Sequence, residues 1–523
     1  MSSSFILSAP HQEQLSSSAQ KLAAELHKFC RDNSITSDTL HEVMGEDTSS
    51  ILHQGDTAAA RLRMRTVAND SAVKDTQRAQ ANFARFFMFG DCLDNETLTS
   101  AFGDNLVTLL RETALINNGR SRIDLRPIDI DDKTIYIASD LGVDVNARPI
   151  DADYILGVGG ASLSLLHLIP TSPVKVALDI GTGCGIQALY MSSFAKRVVV
   201  TDISSRALWF AKFNALLNQI DNLDFRQGSF FEPVTGEQFD LIVTNPPFVI
   251  TPPSVRKKLD YTYRDAGMDA DAAMYTVVAQ AQNYLRPHGR FVALGNWQVT
   301  NTPPTNTSEH IRSWLSPTCN WWVGLRDWQT PEEYIHLWLK DSGQNLLSPS
   351  EYEHLFSLWL QGFERANING ISMGYILGIK NGAPTASSKK ISEGEVMIVD
   401  QQTGKLPAGS VLFERLHHSV MWKKKDTRSR LDTHYHVHPK VKERRLYQPG
   451  SEQPCGLEYV NPEGVAIGVD TVIAACVGAC DGELSLDAII GAVASLLDAD
   501  VDGLREQVLS RWGTLLHHAI VTH

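Results

Sequence analysis

Two short stretches put chemistry-bearing residues where a plain scaffold has no use for them. In residues 239–250, FDLIVTNPPFVI, the apolar run Leu241, Ile242, Val243 leads into Asn245, Pro246, Pro247 and Phe248. Two prolines cannot donate to a sheet ladder, so a strand that runs into them serves something besides the sheet. In residues 176–189, VALDIGTGCGIQAL, the residues Asp179, Gly181, Gly183 and Gly185 fall at the end of a strand-like run and just before a helical one. Glycines there allow a tight turn and let main-chain amides approach a ligand at the helix N-terminus. Spacing narrows the ligand. The loop is GxGxG preceded by an acid, not the GxGxxG of a dinucleotide loop, and no Lys-Ser or Lys-Thr pair follows as a phosphate loop requires.

These residues need a frame. From about 154 to 300, strand-like and helical runs alternate: VKVALDI, a helix from Ile186, RVVVTDI, a helix from Ser205, LDFRQ, FDLIVTN, a helix near 270–285, and RFVALGN. That order predicts an α/β fold, a doubly wound, mostly parallel sheet covered on both faces. In such a sheet the ligand crevice lies outside the carboxyl ends of the strands, where Asn245 falls. Upstream, residues 1–150 mix helical patterns with an alternating strand pair near 121–141, which predicts a helical domain ending in a small winged element. The segment GVDVNARPIDADY then reads as a linker into a domain spanning 151–385. Its last part is rich in tryptophan (Trp314, Trp321, Trp322, Trp328, Trp338, Trp359), read as core and packing residues. The final domain, 386–523, holds a basic segment and two or three short helices of winged-helix size.

The glycine loop resembles motif I of the Rossmann-like, class I S-adenosylmethionine-dependent methyltransferases. Asn245, Pro246, Pro247 and Phe248 resemble motif IV of those that modify nitrogen in a planar amide or an exocyclic amine. The resemblance implies S-adenosyl-L-methionine as cofactor, its methionine part against the loop of Asp179, Gly181, Gly183 and Gly185. Asp202, ending RVVVTDI, stands where these enzymes hold the ribose hydroxyls. Ser229 stands where relatives often carry an acid facing the adenine amine, and a serine hydroxyl is the lesser acceptor. An amide or aryl amine nitrogen is a poor nucleophile because its lone pair is delocalised. The implied remedy is two acceptors, the Asn245 amide oxygen and the Pro246 carbonyl, that take its two N–H bonds and turn the lone pair toward the sulfonium methyl. Prolines hold that carbonyl rigidly, and Phe248 stacks on the planar target. Methylation leaves a cationic nitrogen that sheds its proton readily, so no general base of tuned pKa is required.

Residues 154 to about 295 are most similar to the release-factor glutamine methyltransferases of the HemK type and their relatives. Phe248 replaces the tyrosine usual there and is commoner in ribosomal RNA amine methyltransferases. Two targets therefore stay open, a protein glutamine and an RNA base, and so does a non-catalytic nucleic-acid- or ribosome-binding protein that retains the fold. The net charge of −13 over 523 residues gives no general attraction to nucleic acid or to an anionic membrane. Residues 423–445 are the exception, with nine Lys or Arg against three acids, a local +6. That segment suits RNA or ribosome contact, or else is a solvated basic loop.

Seven cysteines without a CxxC pair, and no secretory apolar region after the N-terminus, point to a reduced, cytoplasmic setting. The apolar stretch 464–480 is broken by Asp470 and too short to cross a membrane, so Cys476 and Cys480 read as core. His434, His436 and His438 alternate but lack a nearby carboxylate or cysteine partner, and no metal site is expected. Cys184 reads as a small loop residue. Residues 261–272, YTYRDAGMDADA, either close over the substrate with Arg264 reaching it or lead into a helix.

Overall fold

The N-terminal part folds as helices α1 (Ser17–Asp32), α2 (Ser37–Met44), α3 (Ala58–Asn69), α4 (Asp75–Phe83) and α5 (Asn95–Glu112), then a hairpin of β1 (Ile123–Ile130) and β2 (Lys133–Asp140). In α1 the residues Ala19, Leu22, Ala23, Leu26 and Cys30 recur at helical spacing and are all buried, and the Ser16 side chain caps the first turn by accepting from the Ala19 N–H. This computed structural model describes residues 15–48, 56–259, 261–265, 267–300, 307–382, 394, 396–399, 405–450, 452 and 454–522.

After the hairpin, α6 (Gly160–Leu168) leads into the repeating part: β3 (Val174–Ile180), α7 (Ile186–Met191), β4 (Ala195–Asp202), α8 (Ser205–Leu217), β5 (Leu223–Gln227), β6 (Phe239–Thr244), α9 (Ala272–Tyr284) and β7 (Leu285–Val299). Strands β8 (Cys319–Gln329), β9 (Gly370–Lys380) and β10 (Val396–Val399) follow, with α10 (Pro331–Asp341) and α11 (Pro349–Arg365) between β8 and β9. The eight strands run in the order β10-β8-β9-β7-β6-β3-β4-β5. The pairs β3–β4, β4–β5, β3–β6 and β6–β7 are parallel. Val198, Val199 and Val200 of β4 are fully buried, as a strand covered on both faces requires. The mostly parallel α/β sheet expected from the sequence is therefore present. From β3 the chain winds out through β4 and β5, then returns to the other side of β3 for β6 and β7. The gap between β3 and β6 is the topological switch point, where such sheets open a crevice.

By packing, the chain divides into two compact units. One holds the residues up to Leu166, Thr171–Trp314 and Asp327–Gly374; the other holds His167–Pro170, Leu315–Arg326 and the residues from Tyr375 onward. In the first, the hairpin is locked to α8 by two asparagines that imitate a neighbouring strand. Asn218 accepts from the Tyr136 N–H at 2.8 Å and donates to the Tyr136 carbonyl at 2.7 Å. Asn214, fully buried, does the same to Ala138 at 2.8 and 2.9 Å. Behind the Asn245 turn lies an apolar cluster of Val249, Ile250, Tyr334, Leu355, Trp359 and Phe363.

The second unit contains α12 (Gly409–Lys424), β11 (His434–Val437), β12 (Lys442–Tyr447), β13 (Pro454–Val460), β14 (Ala466–Val469), α13 (Thr471–Gly478), β15 (Asp481–Ser485), α14 (Leu486–Leu497), α15 (Val501–His517) and β16 (Val521–Thr522). Two three-stranded sheets, β15-β11-β16 and β12-β13-β14, accompany these helices. Their core gathers Trp422, Tyr435, Trp512, Cys476 and Cys480. The two cysteines are core residues, although α13 ends at Gly478 and leaves Cys480 beyond it. Trp314, Trp321, Trp322 and Trp359 are likewise buried.

Candidate active site

A cavity of about 290 Å³ opens at the switch point. The carboxyl ends of β3, β4 and β6 and the segment 154–157 form its walls. Of the residues singled out in the sequence, Gly181, Gly183, Asp202, Ser229, Asn245 and Pro247 line it. Asp179, Gly185, Pro246 and Phe248 lie outside the lining.

The glycine loop is built for close approach. Gly181, Gly183 and Gly185 have φ of 69°, 55° and 92°, a left-handed region that suits glycine. A Cβ built on Gly181 or Gly183 would meet nothing within 4 Å, so both face open space. Gly185 differs: a Cβ there would lie 3.1 Å from the Ala211 Cβ, so this glycine lets α7 pack against α8. Beneath the loop, Asp179 accepts from the Thr182 hydroxyl at 2.6 Å. Burial pushes its carboxyl up to about 7, with nearby Asp202 adding to the shift and the Thr182 hydroxyl opposing it. Asp179 therefore braces the turn from below. Asn214, which grips the hairpin, also donates to the Cys184 carbonyl at 2.8 Å, so one side chain fixes both elements. The Cys184 thiol is buried and pushed up to about 12 by that burial, which makes it a neutral filler and no nucleophile.

Asp202 ends β4 with both oxygens engaged from behind. Oδ2 accepts from the Gly183 N–H at 3.0 Å and Oδ1 from the Ser204 N–H at 2.8 Å. Burial raises its pKa, and these main-chain donors work against the rise. A carboxylate offers about four acceptor positions, so each oxygen keeps capacity toward the cavity for a hydroxyl pair. Next to it the lining includes Ile203, 58% exposed, and Phe230. Phe230 has φ of 43°, unusual for a bulky side chain, and such outliers gather at ligand-facing turns. Sequence patterning gave no sign of Phe230, because its backbone angle follows from the turn after β5.

At the end of β6, the Asn245 Oδ1 is buried and has no hydrogen-bond partner among the described residues. A buried acceptor left unpaired carries a penalty of about 1–3 kcal/mol, which a ligand donor would remove. Phe248 is half-buried at the margin of the apolar cluster, its ring edge-on to Trp338 with centroids 6.2 Å apart.

The segment that follows is latched to this turn. The Val249 N–H donates to the Arg264 carbonyl at 3.0 Å, the Ile250 N–H to the Tyr334 hydroxyl at 2.9 Å, and the Thr251 hydroxyl bonds Asp265. Thr262, Tyr263, Asp265 and Gly267 border the cavity. Arg264 does not reach it. Its guanidinium lies inside the protein, 4.6 Å from the Tyr261 ring centroid and 5.7 Å from that of Trp359, and donates to the Trp338 carbonyl at 2.7 Å. The reading in which Arg264 reaches the substrate is therefore not met: the segment borders the cavity, and Arg264 is buried behind its wall as an anchor. Tyr154, also in the lining, meets Tyr263 edge-on with centroids 5.7 Å apart.

Residues 157–305 match a family described as the Methyltransferase small domain. The chain is 42% identical over 90 residues to a release factor glutamine methyltransferase of Aliivibrio fischeri, a match that covers 17% of this chain and 31% of that one. It is 30% identical over 184 residues to the enzyme of that name in Xylella fastidiosa, covering 30% of this chain and 66% of that one. A ribosomal protein L11 methyltransferase of Lactobacillus johnsonii is 39% identical over 102 residues, with 18% and 32% covered. The chain thus spans less than two thirds of each of these relatives. The central stretch is a methyltransferase domain, and the resemblance read from its sequence holds there.

Proposed function

We propose that this chain is an S-adenosylmethionine-dependent N-methyltransferase whose target is a planar amide or aryl amine nitrogen on a macromolecule of translation. The observation that carries this is that Asn245, whose Oδ1 is buried and unpartnered, lines a cavity that also presents the glycine loop and Asp202. The fit to the cofactor is chemical. Open space above Gly181 and Gly183 admits a ligand against the main chain, the Asp202 carboxylate suits a ribose diol, and Ile203 and Phe230 offer apolar surface beside Ser229 for a base. When bound, S-adenosylmethionine supplies an electrophilic methyl group on a positively charged sulfur.

This chain's own residues do the rest. Asn245 accepts one N–H of the target and the Pro246 carbonyl the other, which fixes the nitrogen and aims its lone pair. Pro246 and Pro247 stiffen the turn, and the latch through Val249, Ile250 and Thr251 keeps it in place. Phe248 stacks on the target plane once its ring turns from Trp338. The substrate class is a protein glutamine of the release-factor kind. The names of the relatives favour it over an RNA base.

The three-part division at residues 150 and 385 belongs to the same proposal, with the flanking parts selecting the target. Strand β12 is exposed along its whole length and carries Lys442, Arg444 and Arg445, which supports contact with RNA phosphates or the ribosome through 423–445. A cytoplasmic setting agrees with seven free thiols, and among the described residues no helix is long and apolar enough to cross a membrane.

The test is transfer of tritium from labelled S-adenosylmethionine to an extract of the source cells, followed by protease or ribonuclease in parallel. Protease-sensitive label is expected. No label in either fraction, together with no heat of S-adenosylhomocysteine binding by calorimetry, would show a non-catalytic scaffold instead.

A further inference from the structure

A second chamber of about 170 Å³ adjoins the first and shares Tyr154, Leu156 and Gly157 with it as a common wall. Its other wall is one face of the β1–β2 hairpin. Alternation along a strand puts Asp124, Arg126 and Ile128 on the same side of β1, and Ile137 and Ser139 pair with that side from β2. The hairpin comes close here, since a Cβ on Gly157 would stand 2.7 Å from the Ser139 hydroxyl.

The chamber holds one pre-set cation. The Arg126 Nε donates to both oxygens of Asp124 at 2.9 Å, and Asp124 is 94% buried, being 6% exposed. The clamp uses the inner edge of the guanidinium only. Among the described residues the terminal Nη1 and Nη2 groups have no partner in hydrogen bonding, and the side chain is 46% exposed. An arginine fixed at its Nε has already lost most of its rotamer freedom, so its outer N–H fork is ready for an acceptor.

The surroundings choose the acceptor. Asp124 is paired with Arg126, and Asp140 in the same lining is paired with Arg206, so the chamber has no surplus positive charge to draw a polyanion such as an RNA backbone. A neutral carbonyl needs no such surplus, and it can take two N–H donors on its two lone pairs.

We propose that this hairpin chamber is a subsite for the protein substrate, in which Arg126 binds a main-chain carbonyl next to the methylated glutamine. The inference rests on the N-methyltransferase reading and narrows its target to a peptide. Arg126 is a specificity residue here, remote from the reacting atoms. Asp124 positions it.

The experiment uses the full chain, tritiated S-adenosylmethionine, and two acceptors: the ribonuclease-treated protein fraction and the total RNA of the source cells. Arg126→Ala is expected to raise the apparent KM for the main labelled protein band at least tenfold, to leave kcat within twofold, and to leave the calorimetric Kd for S-adenosylhomocysteine unchanged. Arg126→Lys, which keeps the charge but loses the fork, should fall between. The pair Asp124→Asn with Arg126→Ala removes both charges together, so a KM rise shared by it and the single variant at unaltered melting temperature separates recognition from folding. An unchanged KM, or a parallel fall of kcat and cofactor affinity, overturns the subsite while the methyltransferase stands. Label appearing in RNA, and weakened there by Arg126→Ala, overturns the peptide assignment. No label in either acceptor with the unaltered chain refutes the methyltransferase reading itself.

Discussion

Replacing Asn245 by alanine separates function from stability more cleanly than any other change to this cavity. The side-chain oxygen is buried and unpaired, so it contributes no hydrogen bond to the fold and carries an unsatisfied-acceptor penalty of about 1–3 kcal/mol. Truncation relieves that penalty and gives up some packing of the amide. The net change in unfolding free energy is expected within about 1 kcal/mol of zero, a shift of roughly 2–4 °C at most in a domain of this size. Methyl transfer should respond very differently. Loss of one preorganised group that acts on the reacting atoms lowers kcat by about 10²–10³, equal to about 2.7–4 kcal/mol. The assays are differential scanning fluorimetry, calorimetry with S-adenosylhomocysteine, and tritium transfer to the labelled protein band. Asn245→Asp keeps an acceptor oxygen and should recover part of the rate lost in Asn245→Ala. The reasoning is refuted if Asn245→Ala lowers the melting temperature by more than about 5 °C, which would reveal a structural partner for that oxygen, or if cofactor affinity falls as steeply as the rate.

Three further changes probe the frame around it. Asn214→Ala leaves the Ala138 N–H and the carbonyls of Ala138 and Cys184 without their side-chain partner, and should destabilise the first unit by about 3 kcal/mol while weakening S-adenosylhomocysteine binding in calorimetry. Asp179, with its pKa raised from 3.8 to about 7, keeps its proton when folded over a range where the unfolded chain has lost it, so its contribution to stability declines as pH rises from about 4 to 7. Asp179→Asn should therefore gain in melting temperature relative to the unaltered chain as pH goes from 5 to 8, and a flat difference would show that the carboxyl ionises normally. Arg264→Met takes the guanidinium away from the buried Asp265, which keeps the Thr251 hydroxyl and the Tyr261 N–H, and should destabilise by about 3–5 kcal/mol, with Asp265→Asn in the same chain restoring part of the loss in urea unfolding.

What the sequence disclosed and what it hid divide along a physical line. The alternation of β3, α7, β4, α8, β5 and β6 was legible because each element's burial is written in its own periodicity, and the spacing of Gly181, Gly183 and Gly185 because a turn is local. Features that depend on two distant segments meeting left no such trace. Arg264 sits on a polar segment that reads as a cover over the substrate or as the approach to a helix, yet three rings and Asp265 enclose it. Asn214 lies on a helix whose neighbours are mostly apolar, where an amide looks like a defect. Its use, as a false strand edge for the hairpin and a tether for the glycine loop, depends on Ala138, 76 residues away, and on Cys184, 30 residues away. The sequence also left Tyr154 in a linker and gave no role to Leu156 and Gly157, although the three are the wall between the two chambers. Because Asn214 holds both the glycine loop and the hairpin with one amide, the position of Ala138 in the hairpin and that of the Cys184 carbonyl in the loop are fixed by the same side chain. The hairpin is thus joined to the glycine loop by hydrogen bonds that no motif records.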